Sequence, residues 1–193
     1  MTPPRTLLIA CGALAREVKA VVAANGLPFD IECLPAILHN RPDRIPEAVR
    51  ARIAVGRRTH DRILVLYGDC GTGGALDAVL AEEGVERIEG PHCYAFYAGE
   101  ATFDALMKEE IGSFFLTDYL ARHFDRLVWR GLGLDRHPEL LPEIFGHYTR
   151  AVHLVQQDDP AVRAKAAAAA ERLRLPLVTR ETGLAGLSRF LAA

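Results

Sequence analysis

Three of the four cysteines in this chain stand where chemistry is most easily placed. Cys11 is followed by Gly12, Cys70 lies inside Tyr67-Gly68-Asp69-Cys70-Gly71-Thr72-Gly73-Gly74, and Cys93 closes Gly90-Pro91-His92-Cys93. Thiolates are nucleophiles and soft metal ligands. In a reducing compartment four cysteines are seldom disulfides, so metal binding or catalysis is expected of any that cluster. The three are far apart in sequence, unlike the close ligand pairs of a zinc finger. They suit a centre assembled from separate strand ends. Cys11, Cys70 and Cys93 with one open position match a catalytic zinc or an iron–sulfur cluster with one free iron. Neighbours on an extended chain point to opposite sides, so Cys93 is assigned to the centre and His92 to an orienting or packing place. Cys33 lies within an apolar run and is assigned to the core.

The run from Tyr67 to Gly74 is the strongest local signal. Its glycines permit sharp turns and close approach to a ligand, which makes Gly71, Thr72, Gly73 and Gly74 candidate ligand contacts. Amides at the start of the following helix would favour an anion or the Cys70 thiolate. Asp69 is expected to orient Cys70 or a ligand, or to cap the helix. The spacing fits neither a P-loop nor the dinucleotide fingerprint, and a tight turn with no ligand is the plain alternative. His39 follows a strand and could reach the same rim, although an exposed loop histidine needs no function. Asp118 and His123 are expected on a solvent-facing side of a central helix, and His147 has no assigned role. Asp135-x-His137 starts like a cobalamin-binding signature, but Leu140 stands where glycine should be.

The elements that must position these residues alternate. Thr6–Ala10 reads as a buried strand, Leu14–Ala24 as a helix, and Phe29–Leu34 as a second strand. A helix with Pro46 in its first turn carries Ile45, Val49 and Ile53 every four residues. Arg62–Tyr67 is the clearest strand, and a helix through Leu76, Val79 and Leu80 ends at Gly84. Val85–Ile88 is strand-like. The stretch from Ala101 to Val128 reads as helical, with Phe115, Tyr119, Leu120, Phe124, Leu127 and Val128 on one apolar side. Ala151–Val155, an alanine-rich helix after Asp159-Pro160, and Leu175–Val178 restore the rhythm. The expectation is one α/β domain over residues 1–193, a mainly parallel sheet with helices on both faces and a helical flap from the central segment.

Composition narrows the partners. With 193 residues, half of them apolar, and a net charge of −2, the chain has a core-sized interior and no field to attract nucleic acid or membrane. The arginines at 44, 50, 52, 57 and 58 read as a solvated face. No apolar run is long enough to span a bilayer and the start lacks a signal-peptide pattern, so the cytoplasm is the expected compartment.

At these residues the sequence resembles the bacterial and archaeal proteins grouped as domain of unknown function 1638. The resemblance is carried by Ala10-Cys11-Gly12-Ala13-Leu14-Ala15-Arg16-Glu17, Leu34-Pro35-Ala36-Ile37-Leu38-His39-Asn40, Tyr67 to Gly74, and Gly90-Pro91-His92-Cys93-Tyr94. Thr117-Asp118-Tyr119-Leu120 and Phe145-Gly146-His147-Tyr148 extend it along nearly the whole chain. Proteins of this kind are often encoded near corrinoid-dependent methyltransferases. The resemblance therefore implies a link to one-carbon metabolism, with a corrinoid-related protein or a small-molecule ligand as partner, and no particular reaction. By looser analogy, strand-end cysteines resemble the cluster-bearing subunits of 2-hydroxyacyl-CoA dehydratases.

Three functional readings remain open at this point. One is a metal-binding protein, enzyme or not, that uses Cys11, Cys70 and Cys93 to hold zinc or an iron–sulfur cluster. Another is a metal-free thiol enzyme with Cys70 as nucleophile and His92 or His39 as base. The last is a non-catalytic accessory protein. Incidental thiols in a packed domain are the bland alternative.

Overall fold

Six consecutive buried residues, Thr6–Cys11, form strand β1. A strand hidden on both faces is what the centre of a parallel sheet demands. β1 pairs in parallel with β2 (Phe29–Leu34) on one side and β3 (Arg62–Leu66) on the other, and β3 pairs with β4 (Glu86–Arg87). The order is β2-β1-β3-β4. Helices α1 (Ala15–Ala24), α2 (Ile45–Gly56) and α3 (Ala75–Glu83) make the crossovers. Right-handed crossovers from this order place α1 on one face and α2 with α3 on the other, and α2 packs against α3. Leu8, Ile9, Val18, Ile53, Val65, Leu66 and Leu76 are fully buried.

The computed structural model describes residues 4–88 and 92–192, with only the backbone of Ala192. Gly90 and Pro91, expected to lead into His92, lie outside the described residues. The chain forms two compact units, one of Met1–Cys93 with Leu187–Ala193, the other of Tyr94–Gly186. The fold is α/β with two all-parallel sheets. No helix among the described residues is long and apolar enough to cross a membrane. Of the expected solvated arginines, Arg50 pairs with Glu82 and Glu83, Arg52 with Glu32, and Arg57 with Glu83. Ion pairs this exposed add little stability.

Helix α4 (Cys93–Ala98) leads out of the first unit, and α5 (Glu100–Glu109) follows it. The second sheet has the order β5 (Ser113–Thr117), β6 (Arg150–Val155), β7 (Leu177–Glu181). Between its strands lie α6 (Asp118–Arg122), a π-helical turn Asp125–Trp129, α7 (Leu141–Phe145) and α8 (Pro160–Leu173); α9 (Ala185–Ala192) ends the chain. α8 starts as its sequence suggests: Asp159 accepts from the Ala161 and Val162 amides, with Pro160 in the first turn. Its alanines 166, 169 and 170 are buried against Leu116, Ala121, Phe124 and Phe145.

The central segment differs from the expected continuous helix. Ser113–Thr117 is a strand, so Phe115 belongs to a sheet while Tyr119 and Leu120 belong to α6. A five-residue apolar run fits both periods, and its neighbours in space decide which forms. Asp118 corrects the reading of a solvent-facing side chain, being fully buried at the start of α6. Its Oδ1 is hydrogen-bonded to His153 Nε2 at 3.0 Å, its Oδ2 accepts from the Gln157 amide at 3.0 Å, and its own amide donates to Gln156 Oε1 at 2.7 Å. The end of β5 is thus tied to the end of β6. His123 is half-buried with its ring tilted against Tyr119, and His147 is exposed.

Replacing the carboxylate strands a buried imidazole and a half-buried amide at once. Asp118→Ala is expected to destabilise the protein by about 3 kcal/mol, read as a lower urea midpoint. Asp118→Asn, which keeps one acceptor, should cost clearly less.

Candidate functional site

The register sets Ala10 of β1 opposite Leu66 of β3, so Cys11 and Tyr67 leave adjacent strands side by side. This is also where the strand order reverses, with β2 on one flank of β1 and β3 on the other. Open α/β sheets gather ligands outside the carboxyl ends of their strands at such a point. The neighbouring strands expected to carry Cys11 and Cys70 are therefore real neighbours. Gly12 allows the tight exit from β1, since a Cβ there would sit 2.7 Å from the Leu34 carbonyl oxygen.

Cys11 is buried, and its Sγ accepts from the Ala13 amide at 3.3 Å across the 3₁₀ turn Gly12–Leu14. Burial pushes its thiol from an ordinary value near 9 up to about 12; the Ala13 amide pulls it back, and Cys70 raises it further. His39 lies on a 3₁₀ turn, Ala36–Asn40, that follows β2. Its Nδ1 is 3.0 Å from the Ala36 carbonyl oxygen, which can only accept, so Nδ1 carries the hydrogen. The Cys11 Sγ is 3.8 Å from His39 Nδ1 and 4.0 Å from Nε2. His39 is exposed on its outer side, yet the protein around its ring holds its pKa below the usual imidazole value.

Tyr67 was not among the residues that spacing singled out. It is 1 % exposed, and its ring stacks on that of His39 with centroids 6.4 Å apart. Its hydroxyl is buried beside the Cys11 sulfur, the side chain with which it can share a hydrogen bond. Burial first, and Cys11 next, raise its pKa well beyond the phenol range. The available signal was a tyrosine at the very tip of a strongly apolar strand, directly after the aliphatic run Ile63–Leu66.

The loop after β3 braces itself. The Asp69 carboxylate accepts from Thr72 Oγ1 at 2.6 Å, from the Gly74 amide at 2.9 Å and from the Gly73 amide at 3.2 Å. These bonds hold its pKa below the usual carboxylate value, the Thr72 hydroxyl contributing most. Amides expected to face an anion thus serve Asp69, and α3 begins at Gly74 without a side-chain cap. Gly71, Gly73 and Gly74 take positive φ, and so does Cys70 at 50°. A left-handed cysteine costs on the order of 1–3 kcal/mol, which the Asp69 network offsets. Burial raises the Cys70 thiol, while the backbone amides of Gly68 and Cys93 and the charge of Arg87 act the other way. Arg87 is itself held by Asp77 at 2.5 and 2.9 Å.

Cys93 opens α4, and its amide lies against the Cys70 sulfur, which ties the third motif to the second. His92 is half-buried just before it. Cys33 corrects the core assignment: it is exposed, because β2 is an edge strand and Cys33 alternates with the inward-facing Leu34. Among the described residues, no three Cys, His, Asp or Glu side chains are grouped as a ready-made metal site. Cys11, Cys70, the Cys93 backbone, His39 and Tyr67 nevertheless share one strand-end neighbourhood.

Two outcomes follow from burial. Exposed Cys33 should alkylate first in the metal-free protein, Cys70 later and Cys11 last, as peptide mapping would show; Cys70 reacting first would instead favour a free nucleophile. The raised Cys11 pKa means that folding favours its neutral form. Its contribution is full below about pH 9 and is lost as pH rises toward 12. The stability difference between wild type and Cys11→Ala should therefore shrink over that interval in pH-dependent urea melts.

No curated protein and no solved structure matches this chain. A family model described as "Protein of unknown function (DUF1638)" matches residues 33–191, a span that holds His39, the Tyr67–Gly74 loop and Cys93 but starts after Cys11. The chain belongs to the DUF1638 family.

Proposed function

We propose that the protein binds a soft metal, as zinc or an iron–sulfur cluster, through Cys11, Cys70 and Cys93 at the carboxyl ends of the first sheet. The observation that carries this reading is the meeting of three sequence-distant cysteine motifs at one topological switch point. The donor set fits: sulfur donors select these metals over hard cations such as magnesium. The electrostatics fit as well. Burial keeps Cys11 and Cys70 neutral, and Arg87, whose charge acts on Cys70, is already paired with Asp77. A bound cation would ionise the thiols and balance them together.

When bound, a cluster supplies electron transfer or an open coordination site, and zinc supplies Lewis acidity. The protein's own residues hold the sulfurs in place. Asp69 fixes the left-handed turn at Cys70, Gly12 lets β1 end beside β2, and the Cys93 amide supports Cys70. The metal-free nucleophile is less favoured, because a thiol raised by burial is mostly protonated at neutral pH. The link to one-carbon metabolism, with a corrinoid-related protein or a small molecule as partner, rests on the family resemblance.

Anaerobic purification followed by metal and acid-labile sulfide analysis tests the reading. Wild type should carry about one zinc per chain, or iron with matching sulfide. Cys11→Ser, Cys70→Ser and Cys93→Ser should each lose most of it, and Cys33→Ser should keep it. Neither metal nor sulfide in wild type with fully reduced thiols would end the proposal.

A further inference from the structure

The segment Phe145-Gly146-His147-Tyr148 takes no part in the cysteine rim. It stands just before β6, and together with the end of α8 it forms a pocket of about 230 Å³ within the second unit. Leu141, Pro142 and Phe145 of α7, then Tyr148, and then Leu173 and Leu175 around the end of α8 supply its walls. The pocket is a hollow in the core of this unit. Leu141, Phe145 and Leu173 belong to the buried cluster, and Tyr148 and Leu175 pack on it. Phe114, Phe145 and Tyr148 form a triangle of rings with centroids 5.3 to 5.6 Å apart, two of the contacts edge-on. Rings favour this geometry, and the open side of the triangle suits one more. A cavity of about 150 Å³ with such a lining admits benzene, so this one has room for a ring and a short tail.

The apolar lining is broken by the half-buried Tyr148, which carries a phenol hydroxyl, and by Arg174. Arg174 has a φ of 59° at the end of α8, a left-handed place that glycine fills without strain. The other arginines of this region are engaged: Arg163 pairs with Asp158 and Glu181, while Arg172 pairs with Asp125 and lies over Trp129. Arg174 forms no ion pair among the described residues. A guanidinium fork beside an apolar hollow is complementary to a planar carboxylate that carries an apolar group.

We propose that this pocket binds a small aromatic carboxylate, its ring against Phe145 and Tyr148 and its carboxylate on the Arg174 guanidinium. The site is separate from the three-cysteine reading and does not depend on it, since no cysteine lines the pocket.

Phenylacetate is the probe, titrated into the full chain at low salt and followed by amide NMR signals. It should bind with a dissociation constant of about 0.1–1 mM, as suits roughly ten heavy atoms. The signals of Gly146, Tyr148 and Leu175 should move. Phenylacetamide keeps the shape without the charge and should bind about tenfold more weakly. The aliphatic acid 4-methylpentanoate keeps the charge without the ring and should bind about threefold more weakly. Arg174→Gln should weaken phenylacetate about tenfold and leave phenylacetamide unchanged. Arg174→Gly should lose the acid equally and melt no lower than wild type, because glycine accepts the left-handed backbone. An arginine kept only for its charge at the C-terminus of α8 would give the reverse, lower melting with unchanged binding. No binding at about 10 mM, equal affinity for acid and amide, or unchanged affinity in Arg174→Gln would each overturn the site. Tighter binding of a peptide ending in phenylalanine would overturn the assignment to a free acid. Each of these results leaves the metal reading as it stands.

Discussion

Main-chain hydrogen bonds between β1 and β3 hold Thr6 opposite Arg62 and Ala10 opposite Leu66. That pairing sends Cys11 and the Tyr67–Cys70 segment out of the sheet together, though nearly sixty residues separate them in sequence. A slip of one residue would turn every side chain of β1 to the other face. Both faces of β1 are buried, so every flipped side chain would have to repack against a different set of neighbours. Everything at the rim, including the stacking of His39 on Tyr67, inherits its position from this register.

The rim joins stiff scaffolding to costly chemistry. Cys11 is enclosed by apolar strands, Cys70 is held in a conformation cysteine rarely adopts, and Tyr67 buries a hydroxyl. Each feature is unfavourable alone, and they lie together. Unfavourable features gathered at one strand end are a common mark of a site shaped for something other than stability. The second unit offers a contrast. There Asp118, His153, Gln156 and Gln157 satisfy one another, and the network does the work of a structural tie between β5 and β6.

Much of this was legible from residue order. β2, β3, α2 and the start of α8 carry local signals that agree with their surroundings: alternation, a β-branched apolar run, a four-residue repeat, a capping Asp159 before Pro160. Glycine and cysteine at strand ends marked the rim where β1 and β3 leave the sheet together. What could not be read depends on neighbours in space. Ser113–Thr117 is apolar enough for either period, and only its place beside β6 makes it a strand. Asp118 looks like any acidic residue opening a helix until His153 arrives from 35 positions away. Cys33 sits in a convincing apolar run, but nothing in that run reveals that β2 forms the sheet's edge.

The brace formed by Asp69 has a bearing on what can enter this rim. A turn rich in glycine beside a helix start would ordinarily welcome phosphate. Here a carboxylate on the same backbone already occupies the amides of Gly73 and Gly74, and being tethered it competes at very high local concentration. A nucleotide would have to evict it and then endure repulsion from the displaced charge. The amides of Gly73 and Gly74 are in this sense spoken for before any pocket shape is considered.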